Sequence, residues 1–590
     1  MALSAPTTWQ SAFDARTDIA PYGDVGLGLF SLALKYAVED VASIAADSIT
    51  DGSDDKKCDL IYVDLDEKRA VVAQCYAAKE WKPEAPAGKA SDLNTAVAWL
   101  LQRPLSQLPA RIVSQAQQLR DAVEQSIITE LVIWYVHNCG ESSNVDNELK
   151  TVEHSARSML DKHFGEKGRL VRVVAEEIGS GQFEKLYRDS QSPILVDDRI
   201  EVRVDNGYIE NGPDWSAFVT SISGQMVYRW YKKYNLDLFS ANVRDYLGSR
   251  QTDSNINHGI KKTAEHGANN FWVFNNGMTI LCSDFNVSPR KGGKGFDFIV
   301  EGLSVVNGAQ TTGAIGTLKR LPSKDLRIPA RFVRTANADK VQEIIRFNNS
   351  QNKINASDFR STDKVQKRIK QEFDGIPEAE YEGGRRGGHS DVIRRRQYLL
   401  PSYTVGQALA AFHGDPLVAY NYKQQIWIDD RYYSKYFNDS TTASHLVFVY
   451  SLLRSVEAKK VDLIQKSRKG SSHLTESEQK QLAFFRARGA IPLYVHAVSS
   501  CLESVLSRRV ANRFRLSFKG SQSPRAGAAL WAPMVETLLP FASHLESALS
   551  DGLKSSERIN SAVKVFQSLV EATRTPNKSV YDAFAKKLNY

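Results

Sequence analysis

Asp59-Leu60-Ile61-Tyr62-Val63 and, a short polar segment later, Ala70-Val71-Val72-Ala73-Gln74-Cys75-Tyr76-Ala77 form the stretch that decides the fold of this chain. Both runs are apolar and rich in β-branched and aromatic residues, and the Asp64 to Arg69 segment between them is polar. That pattern predicts two strands joined as a hairpin-like pair. Side chains alternate faces along a strand, so Gln74 and Tyr76 share one face and Cys75 takes the other. Asp59 opens the first strand, and Gln74 lies fifteen positions later on its partner. No packing role is expected for the Asp59 carboxylate, so Asp59→Ala is expected to leave the fold intact.

Outward from this pair, residues 25–45 place Leu29, Leu32, Ala33, Tyr36 and Val41 at helical spacing. The Asp-rich turn Asp51-Gly52-Ser53-Asp54-Asp55 separates that helix from the first strand. Downstream come a helix over 111–124, a strand over 130–136, a helix over 145–164 and a strand over 170–174. The order predicts an α/β domain over residues 1–180, a sheet with helices on its faces. From 181 to 420 strand signals dominate, notably at 200–204, 271–274 and 305–306, and imply an α+β domain. Arg290-Lys291-Gly292-Gly293-Lys294-Gly295 reads there as a hairpin tip or small basic loop. Residues 421–590 form a mainly α-helical region, with a Ser/Lys/Gly-rich loop at 466–472.

Composition narrows the class. With 42% hydrophobic and 24% charged residues, the 590-residue chain has the balance of a globular protein. No apolar run reaches membrane-span length, and the first residues lack a signal-peptide pattern, so a cytoplasmic location and no membrane partner are expected. Five scattered cysteines fit thiols in a reducing compartment. The histidines lack zinc-ligand spacing, and no phosphate-binding Walker loop occurs. A net charge of +8 matters only where it is concentrated. The densest cation cluster is Arg385-Arg386 with Arg394-Arg395-Arg396, flanked by Tyr381, Tyr398 and Tyr403. Guanidinium groups and stacking rings suit a nucleic-acid backbone and its bases, whereas pairing with Glu378, Glu380, Glu382 and Asp391 would make the same cluster structural.

Three carboxamide clusters stand apart: Asn275-Asn276-Gly277, Asn307-Gly308-Ala309-Gln310-Thr311-Thr312 and Asn348-Asn349-Ser350-Gln351. If they converge they form one polar site able to bind a nucleotide or a nucleic-acid backbone; otherwise they are turns or a buried network fixing the core. Together with Asn270 to Phe274, Leu238 to Gly248 and the stretch around Gln407 to Phe412 with Asp415-Pro416, they resemble the signature of the AIPR (abortive-infection phage-resistance) family. The resemblance runs in order from about Ser48 to Phe437 and makes 181–420 an AIPR domain.

The first domain resembles metal-dependent nucleases of the PD-(D/E)xK, restriction-endonuclease-like type. That resemblance implies Mg²⁺ or Mn²⁺ held by Asp59 and Gln74, with Glu39 or Asp40 completing an acidic pocket. Related AIPR proteins carry Gln-x-Lys on the second strand, where this chain has Gln74-Cys75-Tyr76. Lys79 is therefore the expected stand-in for the lysine, making Asp59, Gln74 and Lys79 the catalytic candidates. Lys56-Lys57 stand where the family often has glycines. The resemblance implies a bacterial anti-phage effector acting on DNA or RNA, or a non-catalytic nucleic-acid or nucleotide sensor that signals through a defence partner. Homo-oligomerisation through the helical region is a third expectation.

Overall fold

A computed structural model describes residues 8–590 apart from 37, 39, 51, 53, 192–195, 235–237, 240–253, 291–293, 336, 338–339, 342, 345–359, 361–362, 382–397 and 469–472. The two runs quoted above form β1 (Leu60–Asp64) and β2 (Arg69–Tyr76), antiparallel, with Leu60 opposite Ala73. β3 (Glu130–His137) and β4 (Arg172–Ile178) extend the sheet in the order β1-β2-β3-β4, each parallel to its neighbour. A single antiparallel bridge, Ile49 to Leu60, adds a rudimentary strand beyond β1.

The helix expected over 25–45 is two helices, α1 (Val25–Tyr36) and α2 (Val41–Ser48). Asp40 starts the second, its carboxylate accepting the Ser43 N–H at 3.1 Å. One sheet face, carrying Val71, Ala73, Val132 and Trp134, packs under α1. The chains approach closely there: a Cβ on Gly28 would fall 2.8 Å from the Cys75 sulfur. The other face, with Ala70, Val72, Ile133 and Tyr135, is covered by α3 (Ala87–Leu101), α4 (Ala110–Glu124) and α5 (Ser143–Leu170). The turn into β1 keeps a glycine-like backbone at Lys56 (φ 57°) and Lys57 (φ 67°). Lysine there is strained where glycine would be relaxed.

The central sheet runs β5-β10-β8-β11-β7-β6, with β9 also paired to β10. Its strands are β5 (Val196–Val204), β6 (Gly207–Asn211), β7 (Ser216–Ser223), β8 (Met278–Leu281), β9 (Asp284–Pro289), β10 (Phe296–Asn307) and β11 (Arg327–Arg334). β9 and β10 form a hairpin across the expected basic tip, closed by the Arg290 N–H on the Gly295 carbonyl. Phe271–Phe274, read as a strand, is one helical turn. An apolar run of four cannot by itself distinguish the two.

The helical core begins earlier than residue 421. One apolar cluster gathers Ile369, Phe373, Leu409 and Phe412 with residues as far as Leu588. It also takes in Ala46 of α2, so the α/β domain is seated on the helical region. Charge anchors that seam. Arg454, on α6 (Ala443–Arg468), donates to Asp40 and to Glu457, and the hydroxyls of Ser43 and Thr404 complete a buried network.

Burial alone would raise the Asp40 pKa, but Arg454, the Thr404 hydroxyl and the Ser43 N–H outweigh it and hold the carboxyl below its ordinary range. A carboxyl with a lowered folded pKa adds stability above its unfolded pKa, near 3.8, and loses it as pH falls further. Asp40→Asn should therefore lower stability by about 3 kcal/mol at neutral pH, because the buried Arg454 loses one of its two carboxylate partners. Denaturant melts of wild type and variant should converge below about pH 4.

Candidate active site

The ends of β1 to β4 bring polar side chains into one row. Continuing the β1–β2 register one step past Leu60–Ala73 sets Asp59 opposite Gln74. Gln74 is in register with Tyr135 on β3, and Tyr135 with Glu177 on β4. One residue pair further along the same face, Tyr76 lies beside His137. The strands rise about 3.3 Å per residue and lie about 4.8 Å apart, so the row is compact.

Asp59 is 9% exposed, and its Oδ2 accepts the backbone N–H of Cys75 at 2.6 Å. Contrary to expectation, the carboxylate has a structural role: it fastens β1 to the end of β2. Gln74 is 6% exposed, and its Oε1 has no hydrogen-bond partner. A buried acceptor left bare costs free energy, and it marks a place for a donor or a cation.

Asp40 does not join this row, because its carboxylate is held by Arg454, Thr404 and Ser43 at the seam. Glu39 lies outside the described residues. Lys79 is exposed and sits three residues beyond the end of β2. The amines that approach Tyr76 are others. Lys82 Nζ donates to the Tyr76 hydroxyl at 3.0 Å, and Lys89 Nζ lies 5.3 Å from the ring centre. The hydrogen bond to Tyr76 raises the Lys82 pKa.

His137 is fully buried, with Nε2 2.9 Å from Glu177 Oε1. Its Nδ1 accepts the Cys139 N–H at 3.3 Å, so Nε2 carries the proton and donates to the carboxylate. Both ring nitrogens are thus occupied, and the pair is a fixed wall beside Tyr76. Sequence reading missed Lys82, Lys89, His137 and Glu177. Alternation past Tyr135 marks His137, whereas nothing local marks Lys82 or Lys89.

Two carboxamide clusters of the central domain do meet. Asn275 Nδ2 donates to Thr311 Oγ1 at 3.0 Å, and the Gly277 N–H donates to Asn275 Oδ1 at 3.0 Å. Gly277 (φ 82°) and Gly308 (φ 90°) are left-handed, and a Cβ on Gly308 would fall 2.9 Å from the Gly277 carbonyl. Thr312 donates back to the Gly308 carbonyl at 2.9 Å. These groups satisfy one another and join two loops. Asn276 is exposed, and Asn307 and Gln310 are half-buried. Asn348, Asn349 and Gln351 lie outside the described residues, as do Arg385, Arg386, Arg394, Arg395 and Arg396.

Residues 239–471 match the family described as AIPR protein. The matched segment holds both carboxamide loops and ends within the helical region, leaving the α/β domain outside it. It supports the resemblance drawn from the sequence, and with it an abortive-infection, anti-phage role. No curated protein and no solved structure matches the chain. Among the described residues no single helix is long and apolar enough to cross a membrane.

The two halves of the site respond differently to truncation. Gln74→Leu should be neutral or slightly stabilising, since it removes a bare acceptor and keeps the volume. Asp59→Ala should cost about 1–3 kcal/mol by stranding the Cys75 N–H. Equal melting midpoints for Asp59→Ala and wild type would contradict the clasp.

Proposed function

We propose that the α/β domain is the catalytic part of an anti-phage effector, hydrolysing phosphodiester bonds in DNA or RNA with Mg²⁺ or Mn²⁺. The observation that carries this reading is the bare, buried Gln74 Oε1 opposite the Asp59 carboxylate. The chain order lends support: helix, rudimentary strand at Ile49, β1, β2, helices and β3 come in the order expected of a restriction-endonuclease-like domain.

Asp59 and Gln74 present the oxygen donors that a hard cation prefers, and such ions commonly take one or two carboxylates plus substrate phosphates. When bound, the ion would polarise the phosphoryl group and acidify water. A single carboxylate with a neutral carboxamide binds it weakly, which favours Mn²⁺ over Mg²⁺. Lys82, held against Tyr76, stands in for the lysine of the related motif: its ammonium faces the phosphoryl charge, and the phenol carries its hydrogen bond. His137 and Glu177 orient rather than react, since their polar atoms are already paired.

A second reading, a sensor with a degenerate site, has its own support. Tyr76 occupies the lysine position, and among the described residues no group of three or more His, Cys, Asp or Glu could hold a metal ion.

Cleavage of labelled single- and double-stranded DNA and RNA in Mg²⁺, Mn²⁺ or EDTA separates the two. Asp59→Asn, which keeps a neutral acceptor for Cys75, should abolish metal-dependent cleavage while lowering the melting midpoint less than Asp59→Ala does. Lys82→Met should slow cleavage by about 10²- to 10⁴-fold, while Lys79→Met leaves it near wild type. Absence of cleavage of every substrate in Mg²⁺ and Mn²⁺ assigns the domain to sensing, whereas cleavage that survives EDTA, or an Asp59→Asn protein as fast as wild type, contradicts a metal site at Asp59.

A further inference from the structure

A cleft opens at the seam between the α/β domain and the helical region. It is small and partly open to solvent, with room of about 20 Å³ for the centre of a water-sized sphere, between α2, α4, α6 and α7 (Glu476–Arg486). Arg111, Lys460 and Arg486 line it, and no carboxylate is among the described lining residues. Lys460 is paired with Asp47 at 2.9 Å, and Arg111 donates to the Thr50 carbonyl at 3.3 Å. Arg486 is different. It is half-buried, and among the described residues the charged group that acts on it most is another cation, Arg111. Burial, then Arg111, push its guanidinium down to about 10. A cation with no anion beside it among the described residues is costly in a desolvated position, and an anionic ligand there would relieve it.

A second group in the cleft points to the same ligand. Gln115 Nε2 donates to the Asp47 carbonyl at 2.7 Å, which fixes the orientation of the amide. Its Oε1 is then left buried with no hydrogen-bond partner. A ligand that satisfies both Arg486 and Gln115 must carry anionic oxygens and a hydroxyl donor. A phosphate group that retains a proton does so, as does a phosphate beside a ribose hydroxyl. Sulfate has no donor.

We propose that this cleft binds a phosphate group, free or carried by a small nucleotide, between Arg486 and Arg111 with Gln115 accepting its hydroxyl. The site is separate from the Asp59–Gln74 row, and its occupancy ties α2 and α4 to α6 and α7. A ligand there stabilises the docked arrangement of the two regions.

The test is calorimetric titration and melting of the full chain in EDTA, with sodium phosphate, AMP and sodium sulfate at equal ionic strength. Phosphate or AMP should raise the melting midpoint in proportion to the logarithm of concentration. Sulfate should bind roughly tenfold more weakly for lack of one hydrogen bond. Tighter binding of AMP than of phosphate identifies a nucleotide, and equal binding identifies free phosphate. Arg486→Gln should lose the response and melt no lower than wild type in phosphate-free buffer. Gln115→Leu should keep anion binding but lose the preference over sulfate. The proposal is overturned if wild type and Arg486→Gln respond alike, or if phosphate produces no shift beyond that of matched chloride. A markedly lower midpoint for Arg486→Gln without phosphate also overturns it, because Arg486 would then be internally paired. EDTA removes metal-dependent cleavage, so these outcomes are independent of the fate of the nuclease reading.

Discussion

The Asp59 carboxylate on the Cys75 N–H is the contact on which the α/β site depends. A charged acceptor makes a shorter and stronger bond than a neutral one, and this one is largely shielded from water. It closes β1 against β2 at the position where the ladder would otherwise fray. With that register fixed, Gln74 faces Asp59, and the parallel register of β3 sets Tyr135 and His137 alongside Gln74 and Tyr76. One acid therefore both fastens the sheet and begins the polar row. Substitutions that remove its charge but keep its acceptor separate the two roles.

A second constraint acts at longer range. The α/β domain does not stand free: its α2 shares a core with the helical region, and Asp40, Arg454 and Glu457 form a buried charge network across the seam. Burial raises the Glu457 carboxyl, while Arg454 and the hydrogen bonds of Thr404 and Ser43 hold Asp40 below its ordinary range. The cationic cleft beside this network uses the same two layers. The carboxamide loops within the AIPR segment have a different task. Asn275, Thr311 and Thr312 are bonded internally, which makes them braces between β8 and the helix after β10.

Much of the sheet was legible because β1, β2 and β3 are apolar runs with clear ends; alternation sets Gln74 and Tyr76 on one face, and the nuclease resemblance is what singles out Asp59 with Gln74. Three things were not. Phe271–Phe274 is apolar enough to read as a strand, yet Trp272, Val273 and Phe274 are exposed on a single helical turn. Asp40 looked like a member of an acidic pocket, but its partner Arg454 lies 414 residues away in sequence. Lys79 was the nearest lysine in the chain, whereas the loop after β2 turns back and delivers Lys82 to Tyr76. Local pattern fixes which face a side chain takes. Long-range return of the chain decides what it meets there.

The metal dependence of Gln74→Glu tests the central claim most directly. If Gln74 Oε1 is a cation ligand, a carboxylate in its place should bind the ion more tightly. Cleavage by Gln74→Glu should then reach half its maximum at lower Mg²⁺ than in wild type, and the preference for Mn²⁺ should narrow. An unchanged metal requirement, in a variant that folds and cleaves as wild type does, would contradict a metal site between Asp59 and Gln74.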